Sequence, residues 1–285
     1  MRFVSFMNPQ GLTAPGAIVQ DAVFDLRPAG FTDILHVIQG GGAARKTIDT
    51  YLESTPASIG IRLPSAALLA PIPRPPKVIC VGLNYRDHAA EARMEIPPVP
   101  TIFSKFSNTI IGPGAPVILP RNTKKPDYEA ELAFVIGLGG RHIPADRWRD
   151  HVFGYMCLND VSARDFQLAT SQWLMGKTFD TFAPTGPWIT TADEIEDPHN
   201  LDISMEINGE VLQSSNTREL IFGIPQLIEF LSSVFTLEPG DIVTTGTPAG
   251  VGFSHKPPRW LRPGDEMVVS IQGLGELRNP VVAEA

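Results

Sequence analysis

The run Tyr128-Glu129-Ala130-Glu131-Leu132-Ala133-Phe134-Val135-Ile136 reads as a β-strand with chemistry at its start. Alternation sends Ala130, Leu132, Phe134 and Ile136 to one face and Glu129, Glu131, Ala133 and Val135 to the other. At a rise of about 3.3 Å per residue, the Cα atoms of the two glutamates lie roughly 7 Å apart. Their side chains can therefore converge on one hard cation through oxygen ligands. Small and apolar residues continue the same face, which points to a covered cleft, where two carboxylates repel unless a cation or a proton lies between them. An ordinary half-exposed strand is the plain alternative for a bare Glu-x-Glu.

Outward from this run the pattern is mostly strand: Val78 to Leu83, Thr101 to Phe106, Val117 to Leu119, Tyr155 to Leu158, and Ile203 to Gln213 folded at Asn208-Gly209. Helical spacing is confined to Ala145 to His151 and to Ile224 to Val234, where Pro225 opens the first turn and Leu227, Ile228, Leu231 and Val234 share a face. Upstream, residues 3 to 26 read as short strands, and Thr32 to Gln39 and Ala43 to Leu52 as helix. Between the two parts, Pro71-Ile72-Pro73-Arg74-Pro75-Pro76 places four prolines in six positions, a stiff linker. The expectation is an α+β, β-rich chain: a small N-terminal α+β domain (1–70), a linker (71–76) and a larger domain (77–285).

The chain has 285 residues and a formal charge of −8, with no basic patch, which argues against nucleic acid and anionic membranes as partners. No apolar run approaches the roughly 18 to 20 residues of a membrane span, and the start breaks before a signal-peptide core. Cys80 and Cys157 lie in separate apolar runs without Cys-x-x-Cys spacing, as expected of reduced thiols in a cytoplasmic protein. Gly176-Lys177-Thr178 lacks the glycine that a phosphate loop needs, since position 171 is Ser. Dinucleotide, nucleophile-elbow and zincin motifs are also missing.

Three further segments could join the glutamates. Leu158-Asn159-Asp160-Val161-Ser162-Ala163-Arg164-Asp165 ends an apolar strand in polar residues, where Asp160 would supply a third oxygen ligand or merely cap a helix. Asn84-Tyr85-Arg86-Asp87-His88-Ala89-Ala90-Glu91, if helical, sets His88 and Glu91 on one face, where the carboxylate can orient the imidazole as a general base. Such a pair is also common surface decoration. Lys177 is a cation amid apolar and small neighbours, either snorkelling to the surface or facing an anionic substrate or oxyanion.

From about Lys77 to the C-terminus the chain resembles the fumarylacetoacetate hydrolase family. The resemblance is carried by Val81-Gly82-Leu83-Asn84-Tyr85 with Asp87-His88, Glu129-Ala130-Glu131, Asn159 to Asp165, Gly176 to Asp180, and Pro239-Gly240-Asp241 with Thr245-Gly246-Thr247-Pro248. It implies a mixed β-sheet roll, a homodimer, and Mg²⁺ or Mn²⁺ held by Glu129, Glu131 and Asp160. It also implies a His88–Glu91 dyad on a lid, an active-site Lys177, and substrate-binding positions at Arg164, Gln167 and Thr247.

Family substrates are 2-oxo and 2,4-dioxo acids, which suits an oxygen-only ligand set. The resemblance therefore implies either hydrolysis of a carbon–carbon bond in an acylpyruvate, with the dyad activating water, or keto–enol tautomerisation or decarboxylation of oxaloacetate at the same site. Gln213 to Thr217 and Lys256-Pro257-Pro258-Arg259-Trp260-Leu261 look most similar to the branch that includes oxaloacetate tautomerases, while family breadth puts hydrolysis slightly ahead. A non-catalytic oxo-acid binder would have no need of the dyad.

Overall fold

Three strands, β1 (Arg2–Met7), β2 (Thr13–Val19) and β3 (Ala22–Asp25), open the chain in the computed structural model, which describes residues 1–285. Helix α1 (Ile34–Ser54) follows, its first turn capped by Asp33, whose carboxylate accepts from the His36 N–H at 2.8 Å. The two helical stretches expected from the sequence are halves of this element, separated by a kink where Gly41 adopts φ 51° and ψ −134°.

The larger part contains β4 (Val78–Gly82), α2 (Arg86–Ala92), β5 (Thr101–Ser104), β6 (Ala130–Ile136), β7 (Val152–Asn159) and β8 (Ala183–Thr191). Then come the hairpin β9 (Asp202–Ile207) and β10 (Glu210–Asn216), helix α3 (Ile224–Val234), β11 (Ile242–Thr244), and the pair β12 (Glu266–Ile271) and β13 (Gly275–Ala283). Asn208 and Gly209 both have positive φ, 54° and 82°, the backbone that a two-residue hairpin turn requires. Residues Ala145–His151 form 3₁₀ turns rather than an α-helix. Only Trp148 among them is buried, so no apolar stripe of helical period holds a longer element there.

The strands form a twelve-stranded mixed sheet whose main path runs Ile61–Arg62, β3, β2, β1, β8, β7, β6, β11, β4, β5. Most neighbours are antiparallel, and β11 runs parallel to β4. A second, five-stranded sheet contains β10, β9, β12, β13 and Val117–Leu119. Leu132, Phe134 and Ile136 of β6 pack with Ile203, Met205, Met267 and Val269 of the second sheet and with Leu227 and Leu231 of α3. On the opposite face, Ala133 and Val135 pack with Ile34, Val37 and Ile38 of α1. Each aliphatic side chain buried in this way contributes roughly 1.5–3 kcal/mol, which fixes the register of β6 and the face its glutamates occupy.

β1 pairs with β8 through Arg2↔Thr190 and Phe3↔Ile189, so the opening strands extend the same hydrogen-bonded sheet as β6 and β7. The proline-rich stretch 71–76 carries no regular structure. Pro71, Ile72 and Pro75 are nonetheless buried, and the Ser5 hydroxyl donates to the Pro71 carbonyl at 2.8 Å. No helix is long and apolar enough to cross a membrane.

Candidate active site

Strand register assembles the floor of the site. Ala130 lies opposite Asn159, so Glu129 and Asp160 face one another just beyond the ends of β6 and β7, and the Asp160 N–H donates to the Glu129 carbonyl at 2.9 Å. The Asn159 side-chain oxygen accepts from the Glu129 N–H at 3.0 Å, and Gln213 Oε1 from the Ala130 N–H at 2.9 Å. Thr247 Oγ1 donates to the Ala130 carbonyl at 2.9 Å, tying the Thr245–Pro248 loop to the same place. One carboxylate oxygen each from Glu129, Glu131 and Asp160 lies within 4.8 Å of the others, and all three residues are buried.

Three cations surround this cluster. Lys177 Nζ donates to Glu129 Oε2 at 2.6 Å and to Asp160 Oδ2 at 2.7 Å. Lys105 Nζ, itself 3% exposed, donates to Asp160 Oδ1 at 2.6 Å and to the Val161 carbonyl at 3.0 Å. Arg164 turns all three guanidinium nitrogens to protein oxygens: Nε to Asp127 at 2.8 Å, Nη1 to Gln167 at 2.9 Å and Nη2 to Glu129 at 2.7 Å.

Burial raises the cost of charge on Glu129, but Lys177 and Arg164 outweigh it and hold its pKa at about 2. Glu131 lacks such a partner. Burial first, then the neighbouring Asp160 and Glu129, push its carboxyl well above the ordinary range, and a backbone donor, the Gly246 N–H at 2.9 Å, meets its Oε2. Counting Asp127, four carboxylates stand against three cations in a nearly dry shell. An oxygen-only donor set in which Glu131 has no cation of its own fits a hard divalent cation.

Above this floor lies a cavity of about 410 Å³. Its far wall is α2, anchored where the Asn84 side chain bonds the Thr245 carbonyl at 2.9 Å and where Arg86 Nη1 donates to the Leu220 carbonyl at 2.7 Å. One turn of this helix brings His88 Nδ1 to 3.4 Å from Glu91 Oε2. Glu91 also accepts from the Gly250 N–H at 3.0 Å. Burial opposes its charge, yet His88, Ser254 and that N–H keep its pKa below the ordinary carboxylate value.

The sequence reading placed nine residues in the site, and the fold gathers them. His88, Glu91, Glu129, Glu131, Arg164, Gln167, Lys177 and Thr247 line the one cavity, and Asp160 lies directly beneath it. Sequence reasoning missed Lys105 and Asp127. Lys105 follows strand β5 in the run Phe103-Ser104-Lys105-Phe106, where nothing local marks it as a partner of Asp160. Asp127 is the acceptor that fixes Arg164.

Burying so many like charges costs stability that packing alone has no use for, and opening them onto a substrate-sized cavity marks the chain as an enzyme. Residues 77–282 match the fumarylacetoacetate hydrolase C-terminal model, and the chain belongs to that family. It is 45% identical over 295 residues to a mitochondrial oxaloacetate tautomerase, Fahd2a, of Rattus norvegicus, covering 99% of this chain and 92% of that protein. Among solved structures, fumarylacetoacetate hydrolase from Exiguobacterium antarcticum superimposes with a TM-score of 0.86 at 36% identity, covering 100% of both chains. Maleylpyruvate hydrolase from Sphingobium, solved with manganese(II) and pyruvate, gives 0.84 at 33% identity, again over 100% of both. These likenesses agree with the β-rich roll expected from the sequence.

Proposed function

We propose that the protein is an oxaloacetate keto–enol tautomerase dependent on Mg²⁺ or Mn²⁺. The observation that carries this reading is the 45% identity to an oxaloacetate tautomerase across 99% of the chain, in which the site-bearing strands are included. It reverses the order expected from the sequence, where hydrolysis stood slightly ahead.

Glu129, Glu131 and Asp160 would hold the cation, which when bound supplies Lewis acidity to the chelating 1-carboxylate and 2-oxo groups. His88 is the base: Glu91 faces Nδ1, leaving the other ring nitrogen to take a proton from C3. Lys177 stabilises negative charge as it develops on the C2 oxygen. A proton lost from C3 and one gained at that oxygen balance the step, and no water is consumed. The low access of the floor residues to solvent supports this chemistry, because charge on the enolate is stabilised more strongly in a dry site.

Hydrolysis of a 2,4-dioxo acid is the second reading, supported by the likeness to maleylpyruvate hydrolase. There the dyad would deprotonate water instead of C3. Proton NMR of oxaloacetate and of acetylpyruvate in D₂O, with Mg²⁺-loaded protein, its His88→Ala variant and a chelator control, tests the two. Accelerated, metal-dependent C3 exchange and enol formation without cleavage supports the tautomerase. Acetate and pyruvate appearing from acetylpyruvate would return hydrolysis to first place.

A further inference from the structure

The cavity is lined by more cationic side chains than the chemistry at its floor uses. Lys177 is bonded to Glu129 and Asp160, Arg164 is hydrogen-bonded to Asp127 and Gln167 and ion-paired with Glu129, and His88 faces Glu91. Lys256 lines the same cavity and makes no ion pair or hydrogen bond with the protein. An ammonium group beside a binding cavity, with three donors and no partner, is placed for an anion that arrives with the ligand.

Its backbone is held. The Gly252 and Phe253 N–H groups donate to the Asp127 carboxylate at 2.7 and 3.0 Å, and the Arg259 N–H closes back onto the Gly252 carbonyl at 2.9 Å. The ends of this loop meet so closely that a Cβ on Gly252 would come 2.0 Å from the Arg259 carbonyl oxygen. The Leu261 N–H donates to the Pro126 carbonyl at 2.9 Å, beside Asp127. Lys256 thus sits on a loop clamped at its base, followed directly by Pro257 and Pro258, which restrict the backbone further.

We infer that Lys256 binds the distal carboxylate of the substrate, so that the cavity prefers 2-oxo acids carrying a second anionic group over those with a neutral tail. The inference rests on the tautomerase reading and deepens it. With the 1-carboxylate and 2-oxo groups directed to the acidic floor, the C4 carboxylate of oxaloacetate is left for the wall, where Lys256 is the cation without a partner. A neutral acyl tail, as in acetylpyruvate, leaves that ammonium to water and gains nothing from it.

The test compares wild-type protein with Lys256→Gln and Lys256→Glu, all Mg²⁺-loaded. With oxaloacetate, KM rises about tenfold in Lys256→Gln and more in Lys256→Glu, while kcat stays within about twofold. Turnover or C3 exchange of acetylpyruvate is the same in Lys256→Gln as in wild type. Calorimetry supplies a readout free of turnover: 3,3-difluorooxaloacetate, which cannot enolise, binds about tenfold more weakly to the Gln variant, whereas oxalate, which has no distal group, binds all three alike. Equal affinity of wild type and Lys256→Gln for the difluoro dicarboxylate, or an equal loss for oxalate, overturns the inference. Wild-type protein that binds the analogue through Lys256 yet fails to enolise oxaloacetate would instead end the tautomerase reading alone.

Discussion

The floor and the wall of the cavity are built on opposite terms. On the floor, Asp160, Lys105 and Lys177 are at most 3% exposed, and each is ion-paired at 2.6–2.7 Å. On the wall, His88 and Glu91 meet at 3.4 Å on a seven-residue helix, and Lys256 makes no ion pair or hydrogen bond. The floor is thus preorganised by folding, whereas the wall acquires its closest contacts from what enters. A site divided in this way keeps its charge geometry fixed at the reacting end and leaves selectivity to groups that can be changed without unfolding the protein.

The sharpest way to break the contrast is at the floor. Asp160→Ala or Glu131→Ala should abolish both metal binding and activity; wild-type metal content by elemental analysis would refute the ligand assignment. On the wall, His88→Ala should lower turnover by about 10²- to 10⁴-fold while the metal content is retained. A fall in metal content with it would mean that the dyad belongs to the floor. For stability the contrast should invert. Lys105→Met strips Asp160 of a buried cation at a cost of about 3–5 kcal/mol, a drop in Tm on the order of 10 °C, and Lys256→Met should change Tm by about a degree or less. Scanning calorimetry of the two variants decides it.

A further small effect lies outside the cavity and serves as a control. His199 Nε2 accepts from the Ile224 N–H at 3.0 Å, at the start of α3. Burial lowers its pKa against the pull of Asp197, with Arg149 adding to the fall. Stability from the neutral ring is therefore complete above the ordinary histidine value near 6.5 and is lost as pH falls through the lowered folded value. Between pH 7 and 5, Tm should fall by about 1–3 °C more in wild type than in His199→Gln.

The β6 run was legible because its two-residue period puts Glu129 and Glu131 on one face within nine positions, and the register of β6 against β7 then brought Asp160 to the glutamates. Lys105 was not legible in the same way, because its partner is 55 residues away and no local pattern encodes a cross-strand ion pair. Strand β8 escaped notice since Ala183-Pro184-Thr185-Gly186-Pro187 reads as a breaker. The ladder accommodates it by skipping: β7 pairs with β8 at Thr185, Gly186, Thr190 and Thr191, with a register shift between Tyr155 and Cys157. Helix α3 was plain from its apolar stripe, buried at Leu227, Ile228 and Leu231, but Val234, expected on the same face, is exposed in the last turn, and Ile224 is buried in the first.

The pairing of β1 with β8 bears on how this enzyme can be dissected. The stretch that matches the family begins at residue 77, which invites trimming the chain there. Such a cut would strip β8 of its neighbour and leave an open row of N–H and C=O groups two strands from β6 and its glutamates. It would also remove the α1 side chains that cover Ala133, Val135, Met156 and Leu158. A bare edge beside an uncovered apolar face is a template for self-association. The trimmed fragment is expected to aggregate when expressed alone and to recover solubility when residues 1–70 are supplied in trans.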